Sequence, residues 1–361
     1  MKKIHLYPFL IAAFAMMSIS CSSRSEKDIE SRQASGVALV QNQSFYEVRL
    51  SNGESLYFSH LGEDGEIQGL SFSRDSVDVA TSFGTAFFVS DKGMLATNAH
   101  VVSSMSDDKD INRSIGKVIE SLKAMVKYSY NNKLDQLQQL EYAFQVANYS
   151  PEISYTDFYT IRNARDEAQE ELREMEKTYR ELSYIRPSDS KIIYHNQVAI
   201  AYNDTHVTKT TDFTDCVVIA SDPDHDLALI QLKDKKTPSG KYIFRIEDSD
   251  PLETYSFFDK IESRIKDDKN SRLYMYGFNL GPALALTEDG LKAQFTNGTV
   301  SQKTSDRLMY TIPALRGSSG SPVVNHKGEL VAINFAGIEG TQNFNYGVRV
   351  KHLKILLDRY N

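Results

Sequence analysis

The sequence predicts a mainly β protein, antiparallel barrels or a sandwich, with a helical insertion. Two observations carry that expectation. Strand-like segments recur in four stretches, from Val37 to Phe72, Val77 to Val102, Lys191 to Leu232 and Leu273 to Val348, and glycine-centred turns cut across them. Between the second and third stretches the apolar period changes to 3.6, which confines the helices to one insertion instead of alternating them with strands as a parallel βαβ sheet requires. With 41% apolar and 25% charged residues in 361, the chain has ordinary globular composition, so disorder of the whole is excluded.

At the start, Lys2 and Lys3 precede an apolar run from Phe9 to Met17 that closes on Ser18, Ile19, Ser20 and Cys21, the layout of a secretory signal over residues 1–20. The run is too short to span a bilayer, which takes about 20 apolar residues. The polar stretch SSRSEKDIESRQASG after Cys21 has no apolar periodicity and is read as a flexible tether over residues 21–35. Residues 36–103 then open the β region: VALVQ and FYEVRL lead through the turn SNGES, where Asn52 and Gly53 suit a tight hairpin, into LYFSHL. A second set of strands breaks at Asp91, Lys92 and Gly93.

The insertion is expected over residues 104–190. Apolar residues recur at Ile115, Val118, Ile119, Leu122 and Met125, at Leu137, Leu140 and Phe144, and at Ala168, Leu172, Met175, Tyr179 and Leu182. The opposite face of the last set, RDEAQEELREMEKTYRE, mixes acids and bases at helical neighbour positions, so a helical hairpin or three-helix unit is predicted. Its plain role is packing or homo-oligomerisation. Residues 191–361 return to strands.

Three segments carry chemistry. In PALRGSSGSPVVNHKGELVAIN, Ser319 sits on a glycine-rich turn, and Gly317 and Gly320 leave room for a substrate to approach the backbone and its N–H groups. In GTAFFVSDKGMLATNAHVV, His100 follows an apolar strand. In SDPDHDLALIQL, Asp226 opens a buried strand, an unusual place for an acid unless it accepts an N–H from a histidine, whereas Asp222 and Asp224 read as solvated turn residues. The remaining cysteine, Cys216, lies in the apolar run CVVIA and reads as a small buried hydrophobe. A net charge of -7 without a basic run excludes a nucleic-acid footprint, and the eight histidines lack metal-ligand spacing.

In the order His, Asp, Ser, the motifs TNAHVV, DLALI and GSSGS resemble those of the trypsin-like serine peptidases of the chymotrypsin clan, the bacterial HtrA or Deg subgroup above all, over roughly Thr81 to Val102 and Lys191 to Leu357. The resemblance implies a chymotrypsin-like double six-stranded antiparallel β-barrel. It implies a catalytic triad of His100, Asp226 and Ser319, an oxyanion hole from the amides of Gly317 and Ser319, and a substrate pocket with Pro313 at its floor and Asn334, Phe335 and Ala336 along its walls. Protein or peptide substrates are implied, and no cofactor or metal. Only about a dozen residues follow the Gly347 to Val350 strand, so the PDZ domain usual in these relatives is not expected. Two departures stand out: Ser321 replaces a glycine, crowding the strand behind the nucleophile, and Ser318 replaces the aspartate that pairs with a new N-terminus in zymogen-activated relatives. The leader resembles a bacterial lipoprotein signal peptide, which implies lipidation of Cys21 and attachment to the membrane of the bacterial cell envelope. A non-catalytic lipoprotein using the same fold for binding is the alternative. An α/β-hydrolase is disfavoured because its nucleophile comes before its acid and histidine in the chain.

Overall fold

The polar stretch expected as a tether to residue 35 contains helix α1 (Glu26–Gln33). Its one apolar side chain, Ile29, is buried, and Gln33 donates Nε2 to the Gly328 carbonyl (2.7 Å) and to Tyr242 Oη (3.2 Å). Two tertiary anchors thus order a segment that has no periodicity of its own. The computed structural model describes residues 26–104, 106–209, 212–252, 271–337 and 344–360. The leader and Cys21 lie outside the described residues.

In chain order the elements are β1 (Val37–Arg49), β2 (Ser55–Phe58), the short pair β3 (His60–Leu61) and β4 (Ile67–Gln68), β5 (Ala80–Phe88), β6 (Met94–Thr97), the single-turn helix α2 (Ala99–Val102), and the long helices α3 (Asp108–Tyr149) and α4 (Tyr155–Tyr184). Then follow β7 (Lys191–Tyr202), β8 (Thr214–Asp222), β9 (Leu227–Leu232), β10 (Arg272–Gly277), helix α5 (Pro282–Ala285), the short pair β11 (Leu286–Thr287) and β12 (Gly290–Leu291), β13 (Gln294–Lys303), β14 (Arg307–Tyr310), β15 (Pro322–Asn325), β16 (Leu330–Gly337), β17 (Asn345–Arg349) and helix α6 (Val350–Asp358). They divide into two compact units: one holds the described residues up to Asn42 with Thr81–Ser103 and Gln197 onward, the other Gln43–Ala80 and Ser104–Asn196.

The first unit contains two closed six-stranded antiparallel barrels, as the resemblance implied. Strands run β1-β5-β6-β9-β8-β7 around the first, closed by pairing of β1 with β7, and β10-β13-β14-β17-β16-β15 around the second. Alternate residues explain why strands of the first barrel read as continuous apolar runs. Ala38, Val40, Ala86, Phe88, Leu95, Ala228 and Ile230 share one core cluster, while their neighbours Val37, Leu39, Phe87, Ala96, Leu227 and Leu229 join another with Tyr274, Tyr276, Ile333 and Val348 of the second barrel. Successive side chains of a strand point to opposite faces, so both faces must be apolar when both are covered. Leu273, Met275, Leu308, Tyr310, Val323 and Val331 form a further cluster within the second barrel.

In the second unit β1 continues past Asn42 and pairs with β2 in the register Tyr46↔Phe58 to Arg49↔Ser55, with Gly53 at φ 90° in the predicted turn. The insertion is a hairpin of two helices. Asp107 caps α3 by accepting from Lys109 N (2.8 Å), and Ser154 caps α4 by accepting from Asp157 N (3.1 Å). Ile111, Ile115 and Ile119 pack with Val48, Leu56 and Phe58. Farther out the seam thins to Leu137, Ala168 and Leu172, and Met125, expected in the apolar stripe, is exposed.

Candidate active site

The pairing of β6 with β9 runs from Met94↔Gln231 to Thr97↔Ala228. Extending that register past the strand ends sets the start of α2 beside the residue before Leu227, and there His100 meets Asp226. Asp226 Oδ2 lies 2.7 Å from His100 Nδ1, and Oδ1 accepts the His100 backbone N–H at 2.9 Å. Asp226 takes the left-handed conformation (φ 52°), with its carbonyl accepting from Asn98 Nδ2 (2.8 Å). A non-glycine residue held there marks a site that its surroundings over-determine. A carboxylate only accepts, so the facing Nδ1 carries the hydrogen and Nε2 of neutral His100 is left as a proton acceptor. Nearby Asp222 is not the solvated turn residue expected. Burial works to raise its pKa, but hydrogen bonds from the His225 ring (2.9 Å) and amide outweigh it and hold the carboxyl below the ordinary range.

The turn bearing Ser319 is built from conformations that glycine alone adopts freely. Gly317 has φ 94° and Gly320 φ 88°, and a Cβ on Gly320 would stand 2.0 Å from the Thr85 carbonyl oxygen. Thr85 of β5 holds the turn on both sides of the serine: its amide donates to the Ser319 carbonyl (2.8 Å), and its hydroxyl donates to the Gly317 carbonyl (2.8 Å) while accepting from Phe278 N (3.1 Å). Thr97, three residues before His100, donates in turn to the Thr85 carbonyl (2.7 Å). The serine turn is therefore seated against the strand end that delivers the histidine. Among the described residues, neither Ser319 Oγ nor the amides of Gly317 and Ser319 donate to any protein acceptor. A half-buried hydroxyl and uncommitted backbone N–H groups are the kinds of group that a nucleophile and its oxyanion donors require.

The residues expected to line a substrate pocket fall in different surroundings. Pro313 is exposed. Asn334 and Phe335 are neighbours on β16, where the pairing with β17 shifts register between Asn334 and Ala336: the Asn334 amide is buried against Ser318, and the Phe335 ring lies under the Arg307 guanidinium (5.1 Å) and beside Tyr346 (6.3 Å). Ala336 is the next residue of that strand. Ser321 is fully buried, and among the described residues its hydroxyl has no partner. Its side chain fits because Gly277 faces it, where a Cβ would come within 2.2 Å of Ser321 Oγ. Burial pushes the Cys216 thiol up to about 12, which suits an inert core residue. The sequence offered no role for Thr85, Asn98 or Tyr310, although Asn98 lies inside the quoted TNAHVV string.

Residues 182–333 match the family described as "Trypsin-like peptidase domain". That span includes Asp226 and Ser319, and His100 falls before it, on the far side of the helical insertion. No curated protein matches the chain. Among solved structures, the chain is similar to the crystal structure of the serine endoprotease from Yersinia pestis, with 12% identity and a TM-score of 0.43 over 93% of this chain and 66% of that one. The chain thus spans just under two thirds of that protein's length.

Proposed function

We propose that this chain, whose residues 182–333 match a trypsin-like peptidase domain, is a serine endopeptidase that cleaves exported or unfolded proteins through Ser319, His100 and Asp226. The observation that carries the reading is the double engagement of Asp226 with His100, through the ring at 2.7 Å and the amide at 2.9 Å. In this mechanism His100 Nε2 takes the proton of Ser319 Oγ as the oxygen attacks the peptide carbonyl, and Asp226 stabilises the imidazolium. The amides of Gly317 and Ser319 bind the oxyanion, and His100 then returns the proton to the leaving amine. Water repeats the sequence on the acyl-enzyme. Loss of one oxyanion donor costs about 2.7–4 kcal/mol of barrier in comparable sites.

No acidic side chain occurs at Pro313, Phe335 or Ala336, which favours cleavage after small or aliphatic residues over Lys or Arg. A lipid on Cys21 would hold the enzyme at the cell envelope, where such substrates pass. The test is labelling with a fluorophosphonate and digestion of casein, by the wild type and by Ser319→Ala. Labelling and proteolysis that both vanish in the variant support the reading. A folded wild type inert in both assays would sink it.

A further inference from the structure

A trans peptide points its N–H away from its own carbonyl. The aim of each oxyanion amide is therefore set from behind, by whatever grips the carbonyl of the preceding residue. For Gly317 that carbonyl belongs to Arg316, and it accepts from Leu280 N at 2.6 Å. For Ser319 it belongs to Ser318, and it accepts from Ser321 N (3.0 Å) and from the side chain of Asn334 (Nδ2, 3.1 Å). The same Nδ2 reaches Ser318 Oγ at 3.2 Å, and that hydroxyl donates to the Leu315 carbonyl at 2.7 Å. Asn334 is in turn fixed by Tyr310, whose hydroxyl donates to Oδ1 at 2.7 Å. Only one orientation of the amide satisfies both neighbours, because a carbonyl can face the Tyr310 hydroxyl but not the Ser318 carbonyl. Tyr310, Ser318 and Asn334 are all buried to within 2%, so water does not substitute for a missing partner. Burial also keeps the phenol well above its ordinary pKa and hence a donor.

We propose that Asn334, oriented by Tyr310, is a positioning residue that fixes the Ser318 carbonyl and thereby aims the Ser319 amide at the oxyanion. The proposal rests on the peptidase reading above. It gives the neutral Ser318 a purpose: the turn is anchored from the barrel interior by a tyrosine and an asparagine, and the site is formed without a new N-terminus. The pair acts on the transition state, where charge develops, and leaves ground-state binding of the peptide untouched.

The experiment compares wild type, Tyr310→Phe, Asn334→Leu and the double variant in peptide hydrolysis, fluorophosphonate labelling rate and urea unfolding. Tyr310→Phe should lower kcat roughly tenfold, about the worth of one neutral hydrogen bond. Asn334→Leu should lower it by on the order of 10²-fold, approaching the loss of an oxyanion donor. In both, KM and the pH profile should stay at wild-type values, since the His100–Asp226 pair is untouched. Replacing both partners by apolar groups can restore stability, so the double variant should regain part of its unfolding midpoint while its kcat stays low. A purely structural role predicts that kcat recovers along with stability, and that result overturns the proposal. Folded variants with unchanged kcat overturn it as well. A wild type that fails to label removes the peptidase reading and this proposal together, whereas a wild type that labels normally confines any failure to the proposal.

Discussion

The two units bury their apolar residues by different means, and the residues proposed for catalysis all lie in one of them. In the barrel unit, residues from strands distant in sequence seal each other completely: Phe87, Phe88, Leu95, Tyr276 and Ile333 are all fully buried. In the second unit the helical hairpin holds together along a narrow seam, and Tyr128, Tyr142, Tyr149 and Tyr155 stand in solvent. Ion pairs on that surface, such as Arg113–Asp110 and Arg173–Glu170, are local and exposed, a class worth only a few tenths of a kcal/mol each. A catalytic constellation needs side chains held to fractions of an ångström, which closed barrels supply and a lone hairpin does not. The sharpest break of this comparison is Asp226→Asn. It keeps shape but leaves His100 in the wrong tautomer, and kcat should fall about 10⁴-fold with no change in the hairpin, measured as peptide hydrolysis beside hydrogen exchange. A loss below tenfold would show that the barrel unit does not depend on this pair.

The difference between the units also explains what could be read from the sequence. The hairpin was legible because helical periodicity is local, and the pairing of His100 with Asp226 was legible because each lies in a short string that carries the resemblance. The contacts that hold the Ser319 turn were not legible. Thr85 grips Gly317 from 232 residues away, and Tyr310 meets Asn334 across 24 residues; both contacts come from strand register, which no single segment records. Asn334, placed from the resemblance on a pocket wall, has its amide against the Ser319 turn because the Tyr310 hydroxyl and the Ser318 carbonyl hold its two ends. Helix α1 escaped notice since Ile29 is its only apolar residue and one residue sets no period.

Leu172→Ala tests the seam. A buried leucine shortened to alanine costs about 2–5 kcal/mol, and less where the surroundings collapse onto the gap. Here the loss should appear as faster hydrogen exchange over residues 130–180, while peptide hydrolysis stays within twofold of wild type. A parallel fall in kcat would show that the hairpin's order is transmitted to the catalytic unit.

Ser321→Ala acts in the opposite direction. The buried hydroxyl of Ser321 lacks a partner among the described residues, and an unsatisfied buried polar group costs about 1–3 kcal/mol. Removing it should raise the urea midpoint by the equivalent of about 1 kcal/mol and leave kcat unchanged. A lower midpoint would mean that the hydroxyl is satisfied in solution.

The smallest effect expected is a difference in acid response between the units. In the barrel unit His352 of α6 stacks on His225 with ring centroids 3.8 Å apart and contacts Asp306 through Nε2 at 3.0 Å. Burial, and then the charge of His225, push its pKa below the usual 6.5, and the bond to Asp306 only partly offsets them; Lys351 adds to the depression, while Asp222 engages His225 from the other side. The unfolded chain therefore binds a proton more readily than the fold, so this stabilisation is complete above about pH 6.5 and is lost as pH falls through the depressed folded value. In the second unit, among the described residues, the carboxyl held below its ordinary value is that of Glu47. The hydrogen bond from Arg49 (2.5 Å), aided by His195 (2.6 Å), holds its carboxyl below 4.5, so its contribution persists until the pH is lower still. His352→Phe retains the stack and removes the titration. Its urea midpoint should fall less than that of wild type between pH 7.5 and pH 5, above the range in which Glu47 and the Asp306 carboxyl titrate. Parallel curves over the whole range would show that the histidine stack does not link the barrel unit to acid, leaving the carboxylates as the sole source of its pH dependence.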